Sequence, residues 1–191
     1  MRSSSKKNSI LTAASELFAS VGYEATTFEK IAQKAAVGLG LIRYHYSTKE
    51  ELYFHCAESN IRGLIEFIRQ TCDSKTGKEA IKNYIERYFE YALVHSSTYS
   101  IVYTTSIFMI VTTPELTEKM NIISNELISY LEEKISTLEN RSQPDGQNKI
   151  DAISIIFLMH GAMRANLSKE FKKFVVVDSI LKFALKALEV E

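Results

Sequence analysis

The sequence predicts an all-α protein of about nine helices, with an N-terminal head of three helices and a larger helical-bundle body. Few turns interrupt the chain, because only seven glycines and two prolines occur in 191 residues. Apolar residues recur at the three- and four-residue spacing that is typical of amphipathic helices. Residues 174–177 are the only β-like run, and it is too short to indicate a strand.

The composition favours a folded globular protein. The chain is 46% hydrophobic and 24% charged, which argues against a disordered protein. Its longest apolar runs, such as Ile155–Met159, are far shorter than the ~20 residues that cross a bilayer. The first residues are polar and lack the apolar core of a secretory signal. We therefore expect a cytoplasmic location and no membrane partner.

The two cysteines predict neither a disulfide nor a metal site. Cys56 and Cys72 fall on one continuous predicted helix, which separates them by ~24 Å. A disulfide needs Cα atoms within ~7 Å, and the spacing fits no metal motif. We expect two reduced, partly buried thiols, no metal and no cofactor.

The head begins with an amphipathic helix over residues 9–21, which Gly22 ends at a C′ position. Thr26-x-x-Glu29 forms a capping box and predicts the start of a short second helix. Thr48-x-x-Glu51 forms another and predicts the start of a long fourth helix. A tight turn at residues 36–38 separates the second helix from a third. The expected spans of the third and fourth helices are 39–44 and 49–71.

Two short helices joined by a tight turn and braced by longer ones form a helix-turn-helix, whose second short helix enters the major groove of DNA. Arg43, Tyr44 and His45 supply donors that suit phosphate oxygens. Residues 1–50 carry seven basic and four acidic side chains, a net charge of +3, which matches a DNA-binding head. The alternative is that Tyr44, His45 and Tyr46 form an aromatic plug in a helical bundle.

The head resembles the TetR family of bacterial one-component regulators in the order and spacing of many residues. The resemblance covers residues 9–52. It is carried by two stretches: Ile10-Leu11-x-Ala13-Ala14-x-x-Leu17-Phe18-x-x-x-Gly22-Tyr23-x-x-Thr26-Thr27-x-x-x-Ile31-Ala32-x-x-Ala35 and Gly40-Leu41-Ile42-Arg43-Tyr44-His45-Tyr46-Ser47-Thr48-Lys49-Glu50-Glu51-Leu52.

The resemblance implies a set of DNA contacts, with Lys49 holding a phosphate and Tyr46 packing inward. Three residues depart from the commonest family pattern. Ala36 stands where the turn glycine is frequent, at a cost of ~1 kcal/mol if φ is positive there. Gly38 replaces a capping serine, and Arg43 replaces a tyrosine. The implied DNA-binding residues are Thr27, Gly38, Leu39, Leu41, Arg43, Tyr44, His45 and Lys49.

We expect residues 1–52 to form the DNA-binding domain and residues 53–191 to form a ligand-binding and dimerisation domain, with the helix over 49–71 linking them. The clearest turn in the body is the stretch around Pro144, Asp145 and Gly146. The expected helices of the body are 78–96, 99–111, 115–138, 148–169 and 178–189.

A stripe of tyrosines on the helix over 78–96 predicts an effector pocket. Buried hydroxyls and imidazoles need partners, and apolar walls with a few polar groups are typical of small-molecule sites. The alternative is that these tyrosines lie at the edge of the core with their hydroxyls in water. The candidate ligand-binding residues are Tyr84, Tyr88, Tyr91, His95, Tyr103, Phe108, Phe157 and His160.

The helix over 148–169 is apolar around much of its girth, so a partner subunit is expected to cover it. The helix over 178–189 offers a second apolar face. The resemblance implies a homodimer through these two segments, which suits paired heads that read two half-sites on double-stranded DNA.

The sequence therefore predicts a dimeric repressor that a small, largely apolar effector releases from operator DNA. A second reading is a DNA-binding dimer that answers to a protein partner or acts as an activator. A third is an all-α enzyme, but no nucleophile-base motif, carboxylate pair, metal spacing or phosphate loop supports one. We therefore predict that the chain is not an enzyme.

Overall fold

The computed structural model describes residues 2–95, 99–101, 113–139, 144–167 and 177–188. These residues form eight helices and contain no strand, which confirms the predicted all-α class. Residues 99–101 are also helical, and the rest of the predicted helix over 99–111 lies outside the described residues. The helices are α1 (Arg2–Ala25), α2 (Phe28–Ala35), α3 (Leu39–His45), α4 (Lys49–Cys72), α5 (Gly77–Val94), α6 (Pro114–Ser136), α7 (Gln147–Leu167) and α8 (Val177–Ala187).

The chain divides into two compact units. Unit 1 comprises Met1–Arg62 and His95–Ile123, and unit 2 comprises Gly63–Val94 and Ser124–Glu191. Helices α4 and α6 each contribute residues to both units. The predicted division into domains at residue 52 stays a prediction.

Unit 1 is built on the apolar stripe that the sequence predicted for α1. Ile10 and Ala14 are fully buried, and α1 packs against α2, which in turn packs against α3. The rings of Phe18, Tyr23 and Tyr53 form a cluster in which Tyr53 meets both of the others edge-on. This cluster joins the end of α1 to the first turns of α4.

The two turns of the head require positive φ angles. Gly22 has φ 84°, so the regular helix of α1 ends there, as predicted, and a short helical turn follows to Ala25. Ala36, at the C-terminal end of α2, has φ 51° and ψ 46°, the left-handed conformation that a Cβ disfavours. The cost anticipated for an alanine at this turn is therefore present.

The first capping box was assigned to the wrong threonine. Thr27, not Thr26, is the N-cap of α2, and its hydroxyl oxygen accepts a hydrogen bond from the Lys30 N–H at 3.3 Å. Thr26 is fully buried and donates its hydroxyl to the Gly22 carbonyl at 2.7 Å. The pattern favoured Thr26 because Glu29 follows it by three residues, whereas Lys30 stands three residues after Thr27. The second box is confirmed, because the Glu51 N–H donates to the Thr48 hydroxyl at 3.0 Å.

Unit 2 has a core of large side chains from α5, which packs against both α7 and α8. Tyr84, Ile85 and Tyr88 are fully buried. Both cysteines lie on α4, are buried and form no disulfide. Burial raises the pKa of the Cys56 thiol to about 12, so this thiol stays protonated. Within the described part of the chain, no helix is both long and apolar enough to cross a membrane.

Candidate nucleic-acid interface and effector region

Helix α3 is anchored on one side and open on the other. Ile42 is fully buried and Tyr46, its C-cap, is 1% exposed, so these two side chains fix the helix to the rest of unit 1. Between them, Arg43 is exposed and Tyr44 is 80% exposed. The surface of α3 between these anchors therefore presents a cationic and a large aromatic side chain to solvent.

The remaining predicted contacts of α3 lie along the same helix. Gly38 is the N-cap, in an extended conformation and without a side-chain cap. Leu39 and Leu41 are half-buried, as is His45, whose ring meets that of Tyr44 edge-on at 5.1 Å. The aromatic plug proposed as an alternative is not formed, because Tyr46 alone is buried while Tyr44 points away from the core.

Arg43 is held loosely in place by α2. Its guanidinium lies 3.8 Å from the Glu29 carboxylate and 5.7 Å from the centroid of the Phe28 ring. Both charged side chains are about two-thirds exposed, so this ion pair contributes little to stability. The Glu29 backbone N–H and the Thr27 hydroxyl hold the pKa of the Glu29 carboxyl below its ordinary value. Arg43 is therefore oriented but free to exchange its partner for a phosphate.

Lys49, the predicted phosphate ligand at the start of α4, already has partners within the protein. Its ammonium donates to the Tyr23 carbonyl at 2.9 Å and approaches the Glu24 carbonyl at 3.5 Å. It also lies 4.2 Å from the centroid of the Tyr23 ring. These contacts could not be predicted from the sequence, because they join residues 26 and 25 positions apart.

Tyr46 packs inward, as the resemblance implied. Among the described residues its hydroxyl has no hydrogen-bond partner, and burial raises its pKa well above the ordinary value. A buried hydroxyl without a partner costs free energy that a phenylalanine would not. The Tyr46 ring therefore supplies the packing, and its hydroxyl adds no hydrogen bond among the described residues.

Four of the predicted effector residues lie in unit 2, and a ring contact joins two of them. Tyr84, Tyr88, Tyr91 and His160 are all buried, and the Tyr88 and His160 rings lie 5.9 Å apart. The Tyr84 hydroxyl donates to the Leu127 carbonyl at 3.0 Å, so this hydroxyl has a partner within the protein. Burial lowers the pKa of His160 to about 4, so its imidazole is neutral at physiological pH.

The other candidate effector residues lie elsewhere. His95 follows the end of α5, belongs to unit 1 and is exposed, because the helix stops at Val94 and does not reach residue 96. Phe157 is 57% exposed on α7, three residues before the buried His160. These two side chains are therefore not among the buried candidates. Tyr103 and Phe108 lie outside the described residues.

Unit 1 also contains an open groove of about 530 Å³ that the sequence analysis missed. Four polar side chains of α4 line the groove at helical spacing. In the sequence this pattern looks the same as the solvent-exposed polar face of any amphipathic helix. Each is already paired or capping, as in the Glu58 carboxylate, which meets both His55 and Arg62. No trio of side chains suited to a metal ion occurs in the described ranges. The groove is lined by Thr48, Glu51, Phe54, His55, Glu58, Arg62, Thr113, Glu115, Leu116, Lys119, Ile122 and Ile123.

Comparison with known proteins identifies the head. Residues 10–56, which span α3 and both turns described above, match the family described as bacterial regulatory proteins, tetR family. The match identifies the head as a TetR-type helix-turn-helix and does not extend beyond residue 56. The chain's all-α architecture of an N-terminal helix-turn-helix and a C-terminal helical domain is the fold of that family.

Two curated relatives are transcription regulators, one named a negative regulator and the other an activator. The biofilm operon icaADBC HTH-type negative transcriptional regulator IcaR of Staphylococcus epidermidis is 24% identical over 185 residues, 93% of this chain and 92% of that protein. The HTH-type transcriptional activator FasR of Mycolicibacterium smegmatis is 27% identical over 99 residues, 51% of this chain. The match spans 45% of FasR, less than half the length of that relative.

A solved structure of the transcriptional regulator FadR from Bacillus subtilis, in complex with stearoyl-CoA, shares the fold. It superposes with a TM-score of 0.73 at 22% identity and covers 92% of this chain and 96% of that one. At this identity the likeness establishes the fold alone.

Proposed function

We propose that this TetR-family chain is a dimeric repressor that binds operator DNA through α3 and is released by a largely apolar effector. The observation that carries the DNA-binding part is the surface of α3, where Arg43 and Tyr44 are exposed while Ile42 and Tyr46 anchor the helix. A rigid helix with outward donors meets the requirements of the major groove and its flanking phosphates. Thr27, Gly38, Leu39, Leu41 and His45 complete the proposed contact surface.

Selection of bound fragments from the source genome tests the DNA-binding proposal. We expect enriched fragments to contain two related half-sites about one helical turn, or a multiple of it, apart. Arg43→Ala should weaken binding to such a fragment roughly tenfold, because a charge-assisted hydrogen bond is lost. The matched control is Arg62→Ala, which removes a half-exposed arginine from α4. Equal losses in the two variants, or no enriched fragment, would contradict the proposal.

The dimer is proposed through α7 and α8, whose outer faces carry large apolar side chains. Ile150 and Phe157, both 57% exposed, stand seven residues apart on α7, and Phe183 is 63% exposed on α8. Residues seven apart lie on one face of a helix, so the two α7 side chains form a continuous apolar stripe. A Cβ at Gly161, one turn further along this stripe, would meet no atom within 4 Å, so the stripe is open to a close partner.

Phe157→Asp tests the dimer. The variant should sediment as a monomer and bind a two-half-site fragment about 100-fold more weakly, since the avidity of paired heads is lost. Ile122→Asp is the matched control, because Ile122 is 56% exposed but lies on α6 in unit 1. A dimeric Phe157→Asp variant, or dissociation of the Ile122→Asp variant, would contradict the proposed interface.

The effector is proposed to be a small molecule with a large apolar part. The contact between the buried Tyr88 and His160 rings supports this class, as does the stearoyl-CoA in the FadR structure. Thermal melting with acyl-CoA thioesters of increasing chain length, and with CoA alone as the control, tests it. A ligand at 100 times its Kd should raise the free energy of unfolding by about 2.7 kcal/mol. Equal effects of CoA and its thioesters would exclude recognition of the acyl chain.

The sign of regulation is a separate question, because IcaR is named a negative regulator and FasR an activator. A reporter gene placed behind an enriched fragment resolves it. We expect expression to rise when the gene for this chain is removed. A fall would favour the activator reading without affecting the DNA-binding proposal.

A further inference from the structure

The connection between α1 and α2 is an elbow, which we define as residues 22–26. Its backbone leaves the helical conformation at Gly22. Four consecutive carbonyls, those of residues 22–25, each receive a hydrogen-bond donor from a side chain. The first of them accepts the Thr26 hydroxyl at 2.7 Å. Lysine ammonium groups occupy the other three.

The two lysines come from different helices. The Lys30 ammonium, from the first turn of α2, donates to the Ala25 carbonyl at 2.7 Å. The Lys49 ammonium, from the first residue of α4, donates to the Tyr23 carbonyl at 2.9 Å and approaches the Glu24 carbonyl at 3.5 Å. The elbow is therefore tied to the beginnings of both α2 and α4.

These contacts have a clear physical basis. Carbonyls at the end of a helix carry partial negative charge, so cations are favourable beside them. The Tyr23 carbonyl also accepts the Thr26 backbone N–H at 3.2 Å. A hydrogen bond with a charged donor is roughly twice as strong as a neutral one. The elbow leads directly to Thr27, the N-cap of α2, so fixing its carbonyls fixes the position of that threonine. Thr27 is one of the proposed DNA contacts.

We propose that Lys30 and Lys49 are positioning residues for DNA binding, which act by clamping the elbow carbonyls and so placing the start of α2. Lys49 then acts through the Tyr23 and Glu24 carbonyls, and it is not itself a phosphate ligand. This inference rests on the proposed DNA-binding function. It replaces the role that the family resemblance implied for Lys49.

The salt dependence of binding distinguishes the two roles. A lysine that neutralises a phosphate releases counterions, so its removal reduces the slope of log K against log salt concentration by about 0.9 per contact. A clamping lysine releases none. Its loss misplaces neutral donors such as the Thr27 hydroxyl, which lowers affinity at every salt concentration without changing the slope.

The experiment measures binding of an enriched genomic fragment by wild type, Lys30→Met and Lys49→Met across a salt series. We expect each variant to bind about five- to tenfold more weakly, with plots parallel to that of wild type. The double variant should lose less than the product of the single losses, since both lysines hold one elbow. Lys34→Met is the matched control: it removes a lysine of α2 that pairs with Glu16 at 2.8 Å, away from the elbow.

Two outcomes would overturn the proposal. One is a slope reduced by about 0.9 per head in Lys49→Met, which would make this lysine a phosphate ligand. The other is affinity within twofold of wild type in both single variants. If Lys49→Met fails to fold, as judged by thermal melting, Lys30→Met carries the test alone, because no phosphate role was assigned to Lys30.

A measurement without DNA separates this proposal from the proposed function. Amide hydrogen exchange at residues 26–31 should be faster in Lys30→Met and Lys49→Met than in wild type and Lys34→Met. Unchanged exchange would overturn the clamp whether or not the protein binds DNA. Faster exchange in a protein that binds no duplex would leave the clamp intact and overturn the DNA-binding function.

Discussion

The head and unit 2 use their polar side chains in different ways. In the head, most polar groups either face water, as Arg43 and Tyr44 do, or cap a helix within four residues of their own position. In unit 2, two buried tyrosines have hydroxyls that find partners far along the chain. The Tyr84 hydroxyl reaches the Leu127 carbonyl across 43 residues, and the Tyr130 hydroxyl reaches the Asp73 carboxylate across 57.

This difference indicates where polar groups matter for stability. A cap at the surface exchanges one hydrogen bond for another with water, so its net contribution is modest. When a buried polar group loses its partner or becomes charged, the full cost of its desolvation destabilises the folded state. Polar substitutions in the core of unit 2 should therefore cost more than those in the turns of the head.

The largest effect is expected from the titration of His160. Its folded-state pKa of about 4 lies below the unfolded value of 6.5, so folding favours the neutral imidazole. The resulting stability is fully present above pH 6.5 and is lost as the pH falls towards 4. Between pH 7 and 4.5, wild type should lose about 2–3 kcal/mol more unfolding free energy than His160→Gln. Parallel pH profiles in urea denaturation would show that His160 does not titrate as proposed.

Tyr84→Phe should reduce the unfolding free energy by about 1 kcal/mol. The substitution removes the hydrogen bond to the Leu127 carbonyl and keeps the ring packing. Tyr44→Phe makes the same chemical change on an 80% exposed side chain and should leave stability unchanged. Equal midpoints for the two variants in denaturant titrations would remove the distinction between buried and exposed polar groups.

Ala36→Gly should stabilise the protein by about 0.5–1 kcal/mol. At φ 51° a glycine avoids the clash of the alanine Cβ, although its freedom in the unfolded chain offsets part of the gain. Ala35→Gly, one residue earlier within α2, should instead destabilise by a similar amount. Thermal melting checks both. A loss of stability in Ala36→Gly would mean that this turn carries no strain.

Tyr46→Phe should change stability by less than about 0.5 kcal/mol, with any shift towards greater stability. The ring remains in place, and the buried hydroxyl has no hydrogen-bond partner among the described residues. A loss above about 1 kcal/mol in denaturant titration would reveal a partner for this hydroxyl. In that case the Tyr46 hydroxyl would contribute to stability as the core tyrosine hydroxyls of unit 2 do.

The same comparison explains what the sequence could predict. The helix starts at Phe28 and Lys49, the turn at Gly22 and the strain at Ala36 follow from short-range patterns, and all were anticipated apart from the choice between Thr26 and Thr27. The helices of the body were placed within two residues at most ends, because helical periodicity is also local.

The partners of individual side chains could not be predicted in this way. The periodicity of α5 showed that its tyrosines share a face, but it could not show that Tyr84 bonds to Leu127 or that His95 falls beyond the helix end. The engagement of Lys49 by the elbow carbonyls likewise depends on the packing of α1 beside α4. Long-range contacts of this kind follow from tertiary packing and leave no periodic signal in the chain.

Titration of wild-type binding to random-sequence duplex DNA with salt tests the central claim most directly. We predict measurable affinity at low salt and a linear fall of log K with log salt concentration, with a slope of about −0.9 for each phosphate that the heads neutralise. Absence of binding at low salt, or binding that salt does not weaken, would contradict the assignment of this protein as a DNA-binding regulator.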